Sequence, residues 1–247
     1  MRIHVALAPG DFADCPLAGG AALVVDVLRA TSTVVAACAA GCRRIIPVAT
    51  PEAARGRAAA EPGALLAGER GGEAIPGFDL GNSPLEWSPA RVGGRSVVFT
   101  TSNGTRALLA AGAARTAAVA AFTNAAAAAR WAVTTGLDLS VLCAGDGEAV
   151  ALEDVACAGV LVRRVLAARP AAVASEAAQA AAAVGAFYEG RLGRLAADAR
   201  WARRLRAAGR DADVTACLAL DTVDEVPRLA GDAVVPGRPA AVAEGAR

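Results

Sequence analysis

Residues 22–48 read ALVVDVLRATSTVVAACAAGCRRIIPV, and the order of patterns within them sets the class of fold. Ala22 to Val27 is a short, nearly unbroken apolar run, as expected of a strand buried on both faces. Thr31 to Ala40 fits a helix that Gly41 stops. Arg43 to Val48 is a second strand, with Pro47 placing it at an edge or at a strand end. Strand, helix and strand in this succession predict an α/β protein with parallel pairing.

The same alternation continues on either side. Further strands are expected at Arg2 to Ala8, Ala64 to Ala67, Ser96 to Thr100, Thr116 to Ala121 and Leu137 to Cys143. Thr50-Pro51-Glu52 opens a helix, with Thr as N-cap and Pro in the first turn. Other helices are expected after Asn103 as far as Ala111, from Asn124 to Val133, from Leu152 to Ala168, and across the amphipathic stretch Ser175 to Gly209. Thr215 to Leu220 and Asp232 to Val235 read as short returning strands. Gly68 to Pro89 (GERGGEAIPGFDLGNSPLEWSP) has no period and is too long for an ordinary connection. Its Ile75, Phe78, Leu80, Leu85 and Trp87 argue that it is ordered. The expected architecture is a three-layer α/β/α domain with a largely parallel or mixed sheet, covering 1–240 with room for two sub-lobes, and a frayed tail at 241–247.

Composition narrows the function classes. The chain has 247 residues, of which 55% are hydrophobic and only 4% aromatic, so its core must be built from small aliphatic side chains. The formal net charge is +1, which supplies no global field for nucleic acid or an anionic membrane. No apolar run is long enough to span a bilayer, and the opening MRIHVALAPGD lacks the pattern of a signal peptide. The cysteines are scattered without a CxxC pair and His4 is the sole histidine, which disfavours a zinc cluster. A cytoplasmic protein with reduced thiols is the expectation, and the apolar composition is compatible with a homodimer.

In α/β sheets, ligands bind beyond the carboxyl ends of strands. The residues there are DVLRATS (26–32), GERGG (68–72), TTSNGT (100–105), FTN (122–124) and CAGDGE (143–148). Any one of these loops could be turn chemistry and helix capping alone. Together they offer two themes. The first is anion binding: Thr101, Ser102, Asn103, Gly104 and Thr105 place hydroxyls and backbone N–H groups at a helix N-terminus, and Thr31 with Ser32 does the same after Asp26. The second is a hard cation. Asp26, Glu69, Asp79, Asp146, Glu148, Glu153 and Asp154 are candidate oxygen ligands. Magnesium takes only one or two protein carboxylates, so most of the seven must serve otherwise, and Glu153 and Asp154 suit a helix start. Asp26 is the strongest candidate, because a carboxylate is costliest at the end of a hydrophobic strand.

Other chemistries lack support. Cys38 to Arg44 and Cys157 to Arg163 satisfy C-x5-R, but both cysteines fall within helical runs rather than in a phosphate-cradling loop. Without Lys there is no standard P-loop. A Ser-His-Asp triad would need His4, which lies inside a strand.

The stretches VVDVLRATSTVVAACAAGCRRIIPV, LLAGERGGEAIPGFDLGNSPLEW, VVFTTSNGTRAL, CAGDGEAVALEDVACAG and DVTACLALDTVDEVP, in this order, resemble the 2-phosphosulfolactate phosphatase (ComB-like) family. The resemblance runs from Val24 to Pro227 and is weakest over Ala167 to Gly209. It implies an α/β/α fold and a cytoplasmic, Mg2+-dependent hydrolase that converts 2-phospho-3-sulfolactate to 3-sulfolactate in the route to coenzyme M. On that basis Asp26 binds magnesium or acts as nucleophile, and Glu69 and Asp146 bind metal or move protons. Arg29 and Arg70 hold phosphate, sulfonate or carboxylate oxygens. Thr31 and the 101–105 segment form the anion cradle, and Asn82 and Ser83 line the pocket from the long loop. The expected partner is a small anionic phosphoester. A phosphatase for another small phosphorylated acid and a non-catalytic binder of sulfonates or organic phosphates remain the alternatives.

Overall fold

The computed structural model describes residues 1–237; the expected frayed tail at 241–247 lies outside them. Eleven strands form one sheet. They are β1 (Arg2–Ala6), β2 (Ala21–Val25), β3 (Arg44–Pro47), β4 (Leu65–Arg70), β5 (Glu73–Ala74), β6 (Ser96–Thr100), β7 (Thr116–Ala120), β8 (Leu139–Cys143), β9 (Val173–Ala174), β10 (Arg228–Ala230) and β11 (Ala233–Val235). The helices are α1 (Ala30–Ala39), α2 (Pro51–Ala59), α3 (Pro89–Val92), α4 (Gly104–Ala111), α5 (Ala125–Thr135), α6 (Leu152–Ala168), α7 (Glu176–Tyr188), α8 (Leu192–Asp198), α9 (Arg200–Ala207) and α10 (Asp211–Cys217).

The strand order is β5-β4-β6-β3-β11-β10-β7-β2-β8-β1-β9. It contains two parallel blocks. One is β4, β6 and β3; the other is β7, β2, β8, β1 and β9. The C-terminal hairpin β10–β11 lies between them and pairs antiparallel with both. Each joint is a single residue pair, Arg228 with Ala118 and Val234 with Ile45, which leaves the sheet free to coil there.

Burial follows the two-residue period of the strands. In β2, Ala21, Leu23 and Val25 enter one core, filled from the other side by α5, α6 and α7. Ala22 and Val24 enter a second core together with Val34 and Val35 of α1, Leu108 of α4, Ile45 of β3 and Phe99 of β6. The second core is therefore shared by both parallel blocks. A small third core, with Ile46, Ala54 and Val98, lies under α2 on the far face of the first block. The low aromatic content has the expected consequence: Ala, Val and Leu fill these cores, and Trp87 meets Phe99 edge-on at 5.6 Å between centroids.

The expected strands and long helices are present, with one correction at the C-terminal side. Thr215 to Leu220 does not form a strand, because Thr215 to Cys217 complete α10. A short apolar run does not by itself distinguish the two states. Gly68 to Pro89 is ordered, as its apolar residues required. Its start extends β4, Glu73–Ala74 pairs back on that strand, and Leu80 bridges to Ala67. No helix among the described residues is long and apolar enough to cross a membrane.

Helices α6 and α7 meet through glycine. A Cβ added to Gly159 would stand 1.8 Å from the Ala181 carbonyl oxygen, and one on Gly185 would stand 2.4 Å from the Gly159 carbonyl carbon. Only bare backbone permits this approach. Gly159→Ala is expected to lower stability by about 1–3 kcal/mol through overpacking, read as a lower denaturation midpoint; an unchanged midpoint would show that the helices separate freely.

Candidate active site

Asp26 follows the last residue of β2 and is 7% exposed. Its backbone is braced by Thr31. The Thr31 hydroxyl accepts from the Asp26 N–H at 3.0 Å and donates to the Asp26 carbonyl at 2.8 Å. This brace turns the Asp26 side chain onto the start of α1, where the Ala30 N–H donates to Oδ1 at 3.2 Å. The start of α4 arrives from the other parallel block. A Cβ on Gly104 would lie 2.6 Å from Asp26 Oδ2 and 2.4 Å from the Ala30 Cβ, so glycine alone allows the second helix to reach the carboxylate. Asp26 thus stands at two helix N-termini, each of which favours its charged form.

Burial opposes that charge and wins. It is the leading cause that pushes the Asp26 carboxyl up to about 7; the Ala30 N–H works against it, while the nearby Glu69 and Glu153 carboxylates add to it. Glu153 itself is buried and is pushed up to about 7, mainly by desolvation. Asp154 is also raised well above the usual carboxylate range by burial, then by Asp26 and Glu153. Its role is structural: it accepts the Val27 N–H at 2.8 Å and the Gly145 N–H at 3.1 Å, tying the loops after β2 and β8 together.

Glu69 comes from the end of β4. It accepts the Ser102 N–H at 2.6 Å and the Gly72 N–H at 2.6 Å. Asp26, Glu69, Asn82, Ser102 and Asn103 line one small, open cleft with Arg29, Leu28 and Gly72. Trp201 and Leu205 of α9 supply its apolar wall. Arg29 is 3% exposed. Its guanidinium donates to Asp213 Oδ2 at 2.5 Å and to the Gly72 carbonyl at 2.7 Å. Ser83 donates to the other Asp213 oxygen at 2.6 Å. Asn82 is buried and its Oδ1 has no hydrogen-bond partner.

Several sequence-selected residues take other places. Arg70 follows Glu69 in the strand and so faces the opposite way. Its guanidinium donates to the carbonyls of Glu69 and Ala49 and to the Thr100 hydroxyl, and it does not line the cleft. Asp146 pairs with Arg200 beside the cleft and is not among its lining residues. Thr101 and Thr105 bond to each other's backbone and shape the entry to α4. Asn103 lines the cleft and accepts the Gly147 N–H at 3.1 Å. The cysteines of the two C-x5-R stretches are buried, with thiols pushed up by desolvation, as inert core residues should be.

Sequence reasoning did not single out Asp213, Trp201 or Leu205. All three lie on helices rather than strand ends, and Asp213 in the first turn of α10 has the pattern of an ordinary complement to a helix dipole. Among the described residues, no group of three or more His, Cys, Asp and Glu side chains is arranged to hold a metal ion. The cleft instead offers hard oxygen donors: the carboxylates of Asp26 and Glu69, with Asn82 lining it beside them. That set fits magnesium, which draws few ligands from protein and keeps its waters.

A family model described as 2-phosphosulpholactate phosphatase matches residues 10–232. A relative from Symbiobacterium thermophilum, named as a probable 2-phosphosulfolactate phosphatase, is 37% identical over 85% of this chain and 91% of its own. A relative of the same name from Gloeobacter violaceus is 38% identical over 90% of this chain and 91% of its own. Another so named, from Deinococcus radiodurans, is 49% identical over 59% of this chain and 62% of its own.

The buried acids have a consequence for stability. A carboxyl raised to about 7 binds its proton more tightly folded than unfolded, so stability is highest below the unfolded value and is lost as pH rises towards 7. In chelator, the denaturation midpoint should fall between about pH 4 and pH 7 and level off above that. Asp26→Asn should flatten that slope and raise the midpoint at the alkaline end, the effect being of the order of a few kcal/mol. A variant less stable than the parent at that end would contradict the assignment.

Proposed function

The chain belongs to the 2-phosphosulpholactate phosphatase family, and on that premise we propose that it is a magnesium-dependent phosphatase converting 2-phospho-3-sulfolactate to 3-sulfolactate and phosphate. The observation that carries the reading is the meeting of the Asp26 and Glu69 carboxylates in one cleft that Asn82 also lines. These oxygens are hard donors, and the two carboxylates repel one another until a cation is present. They are the groups that would hold magnesium. Bound there, the cation would neutralise phosphoryl oxygens as charge shifts to the leaving group.

The remaining chemistry belongs to the chain. Arg29 has more guanidinium N–H donors than its two protein bonds use, and its planar fork suits phosphate, sulfonate or carboxylate oxygens. Ser102 and Asn103 meet the substrate at the start of α4, where the helix dipole favours an anion. Leu28, Leu205 and Trp201 exclude water from the cleft, which strengthens each of these electrostatic contacts. Asp26 serves as a metal ligand or as the attacking carboxylate. The two differ in one outcome: an attacking carboxylate expels the leaving alcohol to form an aspartyl phosphate that water then cleaves at phosphorus, so two in-line displacements give net retention of configuration there, whereas direct attack by water gives inversion. The unpaired cysteines suit the reducing cytoplasm in which we place the reaction.

Phosphate release from 2-phospho-3-sulfolactate should cease in chelator and return with magnesium. Release from other phosphorylated acids at an equal or higher rate would reassign the substrate, and saturable binding without release would leave only a binding protein. Asp26→Asn should cut turnover about a thousandfold or more with the fold retained. Gly104→Ala should be similarly inactive, because its methyl group would occupy the space against Asp26 Oδ2. Normal turnover in Gly104→Ala would show that the approach of α4 to Asp26 is not needed.

A further inference from the structure

Of the ion pairs in the described structure, Arg29–Asp213 is the one with both side chains deeply buried, at 3% and 8% exposure. A buried pair is expensive to form, and hydrophobic replacement often costs nothing. Its position beside the cleft suits a role other than stability. Arg29 lines the cleft with Asp26 and Glu69, and its charge lowers the Asp26 carboxyl while burial and Glu69 raise it. A mobile guanidinium so placed would be drawn onto those two carboxylates. It would then cover the oxygens that a cation needs, and its own N–H groups would no longer face a substrate.

We propose that Asp213 is a positioning residue that holds Arg29 off Asp26 and Glu69, keeping the cation site open and the guanidinium directed at substrate. Asp213 does not itself line the cleft. One of its oxygens takes Arg29 at 2.5 Å, and the other takes the Ser83 hydroxyl at 2.6 Å. The Gly72 carbonyl takes the other arm of the guanidinium at 2.7 Å. Two distant segments thus fix the Arg29 side chain: the long loop after β4, through Gly72 and Ser83, and α10, through Asp213. The Thr33 hydroxyl donates to the Asn82 carbonyl at 2.9 Å and secures the long loop next to Ser83. The carboxylate is required for its charge as well as its shape, since an amide at 213 could still bond Ser83 but would not outbid Asp26 and Glu69 for the guanidinium.

This inference rests on the phosphatase reading for its kinetic consequence, but its structural consequence can be read without activity. Asp213→Asn should weaken magnesium binding, measured by calorimetry without substrate, about 10–100-fold, as loss of outer-sphere partners does. It should also raise KM. The double variant Asp213→Asn, Arg29→Met should recover magnesium affinity, because the intruding guanidinium is gone, while KM stays high. Asp213→Glu, which keeps the charge, should recover much of both. A crystal structure of Asp213→Asn should show Arg29 moved from the Gly72 carbonyl onto Asp26 and Glu69. Arg29 found in its original place would overturn the proposal, as would a loss of stability alone with magnesium affinity and KM unchanged in the folded protein. Should the parent protein itself neither bind magnesium nor release phosphate, the phosphatase reading fails, and the position of Arg29 in that crystal still decides the role of Asp213.

Discussion

A carboxylate held out of water at the meeting point of two helices is the constraint on which the cleft depends. Asp26 faces the starts of α1 and α4, one from each parallel block of the sheet. Their dipoles favour its charge, but burial and the neighbouring acids outweigh them, so the carboxyl titrates near neutrality. The protein thereby stores electrostatic repulsion where a divalent cation would relieve it. Such a site is costly to the fold and useful to the chemistry, the usual trade between stability and activity.

The architecture shows how the groups converge. Three antiparallel pairings in succession lie between β3 and β7; across them the two blocks run in opposite senses. In a flat sheet their carboxyl ends would lie on opposite edges. Here Glu69 and Ser102 from one block nevertheless share a cleft with Asp26 from the other, and both blocks bury side chains in the core around α1 and α4. The sheet is therefore bent about its hairpin, and α1 and α4 occupy the inside of the bend.

Much of this was legible in the sequence, for identifiable reasons. Asp26, Glu69, Ser102 and Asn103 could be found because each lies at or just beyond the end of an apolar run, and strand ends are where α/β sheets bind ligands. The same rule over-reached at Arg70, whose neighbour Glu69 takes the cleft face of the strand, and at Asp146, which is drawn aside to Arg200. Thr31 and Thr105 were identified as polar and local, yet their hydroxyls are spent on backbone. Asp213 was illegible because its partners are 184 and 130 residues away, and no local period encodes a contact of that range. Trp201 and Leu205 fell in an Ala- and Arg-rich stretch whose amphipathic pattern marks which face is buried, but not what lies against it.

The position of the β10–β11 hairpin gives the chain an order of assembly. The strands that join the two halves of the sheet follow every other described strand in sequence, and they sit between segments made much earlier. Until they emerge from the ribosome, β3 and β7 each present an open edge to the surroundings, and Asp213 and the α9 wall of the cleft have themselves only just been made. Long-range closure of this kind is slow and leaves partly folded chains exposed to association. A chain cut short before Arg228 would carry the buried acids of the cleft without the strands that close the sheet.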